Sequence, residues 1–235
     1  MSTLYVVGTP IGNLEDITIR ALNTLKSVDV IACEDTRHTQ KLLARYEIKN
    51  RLIACHAHNE VQSAHGIVKL LDEGNDVAYV SDAGTPGISD PGSRLVSRVR
   101  SSGYNVIPVP GVSALTALVS SAGFVGKSVL FEGFLSPKSG RRTSRLKQLL
   151  ERNEAFVLYE SPFRIVKVLE ALNSLSPDRR LLLGREMTKS FEEFVEGPVS
   201  VVYAEFSSRD TIKGEFALLV SPEEKKEASG NDNHT

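Results

Sequence analysis

Five short apolar runs punctuate the first 125 residues of this 235-residue chain and restrict its fold more than any other feature. LYVVG (4–8), DVIAC (29–33), RLIAC (51–55), DVAYV (76–80) and NVIPV (105–109) are continuous and rich in Val and Ile. Such runs suit strands buried on both faces of a parallel sheet. Parallel neighbours need crossover connections, and helix-compatible segments lie between the runs. Glu15–Lys26 carries Ile17, Ala21, Leu22 and Leu25 at helical spacing; Thr39–Tyr46, Val61–Glu73, Ser93–Ser102 and Ser113–Ala122 behave alike. Strand–helix units in succession predict an α/β domain with a mostly parallel sheet over residues 1–125.

A second α/β domain is expected over 126–221. SVLFEGFL (128–135), AFVLYES (155–161), RRLLLGREM (179–187) and KGEFALLVS (213–221) read as strands. Residues 138–153 read as a basic loop leading into a helix, and Pro162–Leu175 as a helix with proline in its first turn. GPVSVVYAEF fits a strand or a short helix equally well. From Pro222 the sequence PEEKKEASGNDNHT has almost nothing to bury, so 222–235 is expected to be a disordered tail.

Charge is nearly balanced, with 28 Lys and Arg against 29 Asp and Glu, which argues against an indiscriminate polyanion binder. Two cysteines, Cys33 and Cys55, are too few for a disulfide framework and read as reduced core residues. The N-terminus has neither the basic nor the apolar segment of a signal peptide, and no apolar run is long enough to span a membrane. A cytoplasmic protein is expected.

Ligands of open parallel sheets bind beyond the carboxyl ends of the strands, so the segments there are the first candidates. They are GTPIGN (8–13), EDTRHT (34–39), HAHNE (56–60), SDAGTPGISDPG (81–92) and PGVSA (110–114). GTPIGN is neither a dinucleotide fingerprint nor a phosphate-binding P-loop. SDAGTPGISDPG, with three glycines and two prolines, is a rigid loop that presents its backbone to a ligand at close range. EDTRHT gathers Glu34, Asp35, Arg37 and His38 at one strand end, as a polar substrate pocket would. His56 and His58 form a weak metal signal with nothing spaced to complete it, and no metal is expected. No GxSxG elbow or Ser-His-Asp arrangement is present, so the chain points to a ligand-cradling cleft more than to covalent catalysis.

The balanced total conceals a basic segment. Residues 138–189 hold twelve Lys and Arg against six Asp and Glu. Lys138, Arg141, Arg142 and Arg145, with Lys189 beyond, are candidates for phosphate contacts with nucleic acid.

Together GTPIGNLEDIT, EDTR, HAHNE, SDAGTPGISDPG, FEGFL, YESPFR, REMTKSFEEF and KGEF resemble the tetrapyrrole methylase superfamily, and within it the ribosomal RNA small subunit methyltransferase I family. The resemblance covers residues 3–221. It implies two α/β domains with S-adenosylmethionine in the cleft between them, and methylation of a cytidine ribose 2′-hydroxyl in the decoding region of 16S RNA. The cofactor residues it implies are Pro10, Asp82, Gly84, Thr85, Pro86, Gly87, Ile88, Val112 and Ser113, with Glu160, Met187 and Ala217 from the second domain. It implies that Asp35 acts as general base or orients the ribose, and that Arg37 holds phosphate or base, with His56, Asn59 and Glu186 beside the RNA. The small ribosomal subunit is the expected partner, and a homodimer the expected form. Many members carry a small helical segment beyond KGEF; here its contacts are expected to be absent or supplied by the dimer partner.

Two rivals compete. A C-methylase of corrin-type macrocycles would also use Arg and Lys, against its substrate's carboxylates, but EDTR and YESPFR favour the RNA enzyme. A non-catalytic RNA- or nucleotide-binding module would be expected to have lost the Gly/Pro-rich loop, which is intact.

Overall fold

The computed structural model describes residues 2–55 and 60–223. The chain divides into two compact units, Met1–Ala117 with Met187–Phe191, and Leu118–Glu186 with Glu192–Thr235.

The first unit holds five parallel strands: β1 (Thr3–Val7), β2 (Val30–Cys33), β3 (Arg51–Ala54), β4 (Val77–Val80) and β5 (Asn105–Val109). Their order is β3-β2-β4-β1-β5. All five coincide with the apolar runs. Double-sided burial holds for β2 and β4, whose residues are all buried, but not for β3 and β5, which form the sheet's edges. Both strand classes are built from the same residue types, so composition does not separate them. Connecting helices are α1 (Ile19–Ser27), α2 (Thr36–Arg45), α3 (Glu60–Asp72) and α4 (Ser93–Ser101), followed by α5 (Ala114–Ala122). A short 3₁₀ turn, Leu14–Asp16, precedes α1. One face packs α1 and α2 through Ala21, Leu25 and Leu43 against Ile31, Ala78 and Val80. The other packs α3 and α4 through Ile67, Leu71, Leu95 and Val99 against Leu4, Val77 and Tyr79. Cys33 and Cys55 form no disulfide and are buried within these layers.

The second unit holds a mixed sheet, ordered β6-β7-β10-β8-β9. Its strands are β6 (Val129–Phe134), β7 (Ala155–Glu160), β8 (Arg180–Arg185), β9 (Glu193–Pro198) and β10 (Phe216–Val220). Only β6 and β7 run parallel; the other pairs are antiparallel. Helices α6 (Ser139–Glu151), α7 (Ile165–Leu175) and α8 (Val199–Ser207) cover one face. The ambiguous GPVSVVYAEF segment divides at Pro198, which ends β9 and sits at the N-cap of α8. Val199, Val202 and Phe206 then recur at helical spacing and are buried. The helix expected within 138–153 is present, but no basic loop precedes it there: it starts at Ser139, and Gly140 is accommodated in the first turn. At the far end, the Glu223 N–H donates to Asn153 Oδ1 at 2.7 Å. Among the described residues no helix is long and apolar enough to cross a membrane.

Candidate active site

All five strands of the first sheet run the same way, so their carboxyl ends share one edge. At its centre, β1 and β4 are neighbours whose connections leave toward opposite sides: β1 leads to β2, β4 to β5. A doubly wound sheet opens its ligand site at such a switch. The loops after these two strands are zipped together there. Thr9 N–H donates to Gly84 O at 2.8 Å, and Gly84 N–H returns to Thr9 O at 3.0 Å. Gly84 has φ +75°, a backbone state that favours glycine. A Cβ on it would approach Ile11 Cγ2 to 3.3 Å.

Two further loops join this edge. Gly8 N–H donates to Val109 O at 3.0 Å, and Gly8 lies against Gly111 so closely that a Cβ on either would fall 2.8 Å from the other's backbone. Thr85 Oγ1 donates to Val112 O at 3.2 Å. Beside the β4 loop, Asp82 Oδ1 accepts the Asp35 N–H at 3.0 Å. The structure thus brings Pro10, Asp82, Gly84, Thr85, Val112 and Asp35 to one edge. Pro86 and Ser113 are buried beside it, while Gly87 is exposed and Ile88 half-buried.

Asp35 is the N-cap of α2, its Oδ1 accepting the Arg37 N–H at 2.8 Å. The Arg37 guanidinium adds two contacts to the same carboxylate, at 3.3 and 3.0 Å. That guanidinium, then the Arg37 backbone N–H, pull the Asp35 carboxyl down to a pKa of about 2. A carboxylate so well satisfied is a poor proton acceptor at neutral pH. Arg37 is largely exposed, so this pair is weak enough to exchange partners.

Met187 and Lys189, expected from the sequence in the second domain, lie in the first unit. Segment 187–191 packs on the GTPIGN loop: Thr188 Oγ1 accepts the Asn13 N–H at 3.1 Å, and a Cβ on Gly12 would meet Lys189 Cγ at 2.4 Å. Met187 and Lys189 therefore belong with β1's loop, although some 175 residues separate them. The second glycine of GTPIGN was the only sequence signal. His56 and Asn59 lie outside the described residues, as does His58.

In the second unit, the β7 and β8 ends meet the start of β10: Phe216 is in register with both Glu160 and Arg185. Ala217 follows, buried between β7 and β8. Glu160 is buried, and its Oε1 accepts from Arg164 at 2.7 Å and from the Ser161 N–H at 2.7 Å. Glu186 Oε1 accepts the Glu215 N–H at 2.9 Å, and a Cβ on Gly214 would strike Glu186 Cγ at 2.4 Å. Glycine in KGEF makes room for that carboxylate.

The basic candidates on α6 separate. Lys138 and Arg141 are exposed. Arg142 is buried and turns its Nη1 to Pro137 O at 3.3 Å, away from any phosphate in solvent. Arg145 forks onto Glu132 at 2.8 and 2.6 Å.

Residues 3–202 match the model of the Tetrapyrrole (Corrin/Porphyrin) Methylases. A Borrelia garinii subsp. bavariensis protein named ribosomal RNA small subunit methyltransferase I is 51% identical over 219 residues, spanning 93% of this chain and 98% of that protein. A Bacillus subtilis protein of the same name is 45% identical over 228 residues, spanning 97% of this chain and 77% of its own length. The chain belongs to the ribosomal RNA small subunit methyltransferase I family of tetrapyrrole methylases. The crystal structure of the methyltransferase CobJ shares its fold, with a TM-score of 0.72 at 20% identity, over 94% of this chain and 95% of that one.

Members of this family are methyltransferases, and their methyl donor is S-adenosylmethionine. The first unit's edge fits the methionine part of that cofactor. Ala83 and Gly87 are exposed while Thr85, Ile88 and Val112 are half-buried, so backbone N–H and C=O groups lie beside short apolar side chains. A charged amino-acid head on a short aliphatic stem needs that mixture. Gly84 lacks the Cβ that would fill the space toward Ile11 and Val112 O.

Proposed function

We propose that this chain transfers the methyl group of S-adenosylmethionine to the 2′-hydroxyl of a cytidine ribose in the decoding region of small-subunit (16S) ribosomal RNA. The observation that carries the reading is 51% identity to a ribosomal RNA small subunit methyltransferase I over 93% of the chain. The strand-end loops of the first unit are intact and joined, which supports a working enzyme over a non-catalytic module. Similarity to CobJ, at 20% identity, bears on fold alone and does not favour a corrin substrate.

S-adenosylmethionine supplies a methyl group on a sulfonium, a leaving group that needs no nucleophile from the protein. The task of the residues is alignment of the ribose oxygen with that methyl. Pro10, Asp82, Gly84 to Ile88, Val112 and Ser113 hold the donor in the first unit; Glu160, Met187 and Ala217 serve the adenine side. Asp35 orients the ribose or takes its proton. Arg37 holds an adjacent phosphate. The enzyme acts as a homodimer in the cytoplasm, on the small ribosomal subunit or its RNA.

Mapping of ribose methylation in small-subunit RNA, after incubation with the purified chain and labelled S-adenosylmethionine, tests the reading. A 2′-O-methylcytidine in the decoding region is expected. Label on a macrocycle substrate and none on RNA would overturn it.

A further inference from the structure

The turn after β7 carries Phe163, whose exposure of 88% is greater than that of any other large apolar residue described. A single exposed apolar side chain is ordinary. What distinguishes this one is its support. Glu160 and Arg164 flank the turn and pair at 2.7 Å, with the carboxylate side chain only 2% exposed. The Ser161 N–H joins that carboxylate, the Arg164 N–H donates to Ser161 O at 3.1 Å, and Arg164 Nη1 reaches Leu135 O at 3.3 Å. Burying an ion pair carries a desolvation cost that geometry must offset. Here a pair with a buried carboxylate and a half-buried guanidinium fixes a four-residue turn whose outermost side chain is a phenyl ring facing solvent.

The surroundings decide the partner. β6 and β7 are parallel, so the end of β6 lies at the same sheet edge, tied to the turn through Leu135. Phe134 is 54% exposed there, held edge-on against Tyr159 with centroids 5.9 Å apart. Ser136 to Lys138 then lead into α6, whose N-cap has no side-chain bond, so its first-turn N–H groups are left for an anion. Lys138 and Arg141 stand exposed on that turn with no ion pair among the described residues. Phe191, also exposed, is followed by Glu192 and Glu193, which would repel a phosphate backbone. Aromatic rings beside free cations bind single-stranded nucleic acid: rings stack on bases while cations track the backbone.

We propose that Phe163 is a stacking platform for an unpaired base of the RNA substrate, with Lys138 and Arg141 holding the adjoining phosphates. This rests on the RNA reading above and adds a site on the second unit. The chain contains no tryptophan, so Phe163→Trp places a single indole on the turn. Its emission should be quenched saturably by a short single-stranded RNA of mixed sequence, far less by the same sequence as a duplex, and less at high salt. Phe163→Leu should weaken single-strand binding roughly ten- to a hundredfold, and Phe163→Tyr should restore it. S-adenosylmethionine binding by calorimetry should be unchanged in all three. An indole indifferent to an RNA that the wild-type chain binds overturns the inference. So does an indole already shielded in the free protein by a second copy, read as blue-shifted emission that dilution reverses. If the wild type methylates small-subunit RNA and the Phe163 variants match it, this inference alone fails; if the wild type neither binds nor methylates RNA, the RNA reading fails with it.

Discussion

The backbone N–H of Asp35 donates to the carboxylate of Asp82 across 3.0 Å, joining the loop after β2 to the loop after β4. One loop carries the proposed ribose-orienting group, the other the proposed cofactor residues. Asp82→Ala removes the acceptor and should lower kcat/KM for methyl transfer about tenfold, ~1.4 kcal/mol, as for loss of a hydrogen bond to a charged acceptor. Asp82→Asn keeps an oxygen that can accept the N–H and should retain most activity. Equal loss in both variants would assign the effect to charge instead. Steady-state kinetics with labelled donor decides.

Asp35 predicts a pH dependence. Its folded pKa, about 2, lies below that of an ordinary carboxyl, chiefly through the Arg37 guanidinium. A depressed acid stabilises the folded state above its unfolded pKa, near 4, and that contribution is lost as pH falls toward the folded value. Titration of Asp35 should therefore leave methyl transfer flat from about pH 5 upward. Arg37→Ala should move the Asp35 carboxyl signal toward ordinary values in carbon-detected NMR. An Asp35→Asn variant should lose activity without shifting the pH–rate profile near neutrality; loss of an acidic limb there would make Asp35 the general base.

Gly8 and Gly111 have no room for side chains. A methyl group on either meets the other's backbone at 2.8 Å, in the middle of the proposed cofactor edge. Gly8→Ala should cost about 1–3 kcal/mol of stability, read as a lower Tm, with weaker S-adenosylmethionine binding by calorimetry. Gly66→Ala is the control: a Cβ there meets nothing within 4 Å, and alanine is the better helix former inside α3, so Tm should hold or rise.

Much of this was legible in the sequence, for local reasons. Val/Ile-rich runs of four or five residues have few alternatives to buried strands, and a loop as dense in Gly and Pro as 81–92 declares a special backbone. The strand order β3-β2-β4-β1-β5 was not legible, and with it went the pairings that build the edge. Thr9 with Gly84, Gly8 with Gly111 and Asp35 with Asp82 each follow from which strands are neighbours. Return of 187–191 to the first unit is likewise a long-range event with no local signature. At α6 the signal existed and was outweighed. Arg142, Leu146 and Leu149 recur at helical spacing and are all buried, but charge and a nearby glycine favour reading Arg142 as solvated loop.

That burial divides the basic residues of α6 into two kinds with opposite expected behaviour. Lys138 and Arg141 reach solvent and can release counterions from RNA; Arg142 is folded back onto Pro137 O. Joint replacement of Lys138 and Arg141 by alanine should weaken single-stranded RNA binding and flatten log K against log salt by about 1.4, at ~0.7 per phosphate contact. Tm should stay close to wild type, since both side chains are exposed. Arg142→Ala should do the reverse: lower Tm, because a buried group and its carbonyl contact are lost, with the salt slope unchanged in protein that remains folded. Filter binding of a short single-stranded RNA over a salt series, alongside thermal denaturation, separates the two. A reduced salt slope for Arg142→Ala in fully folded protein would place that guanidinium on the RNA and contradict the assignment made from its burial.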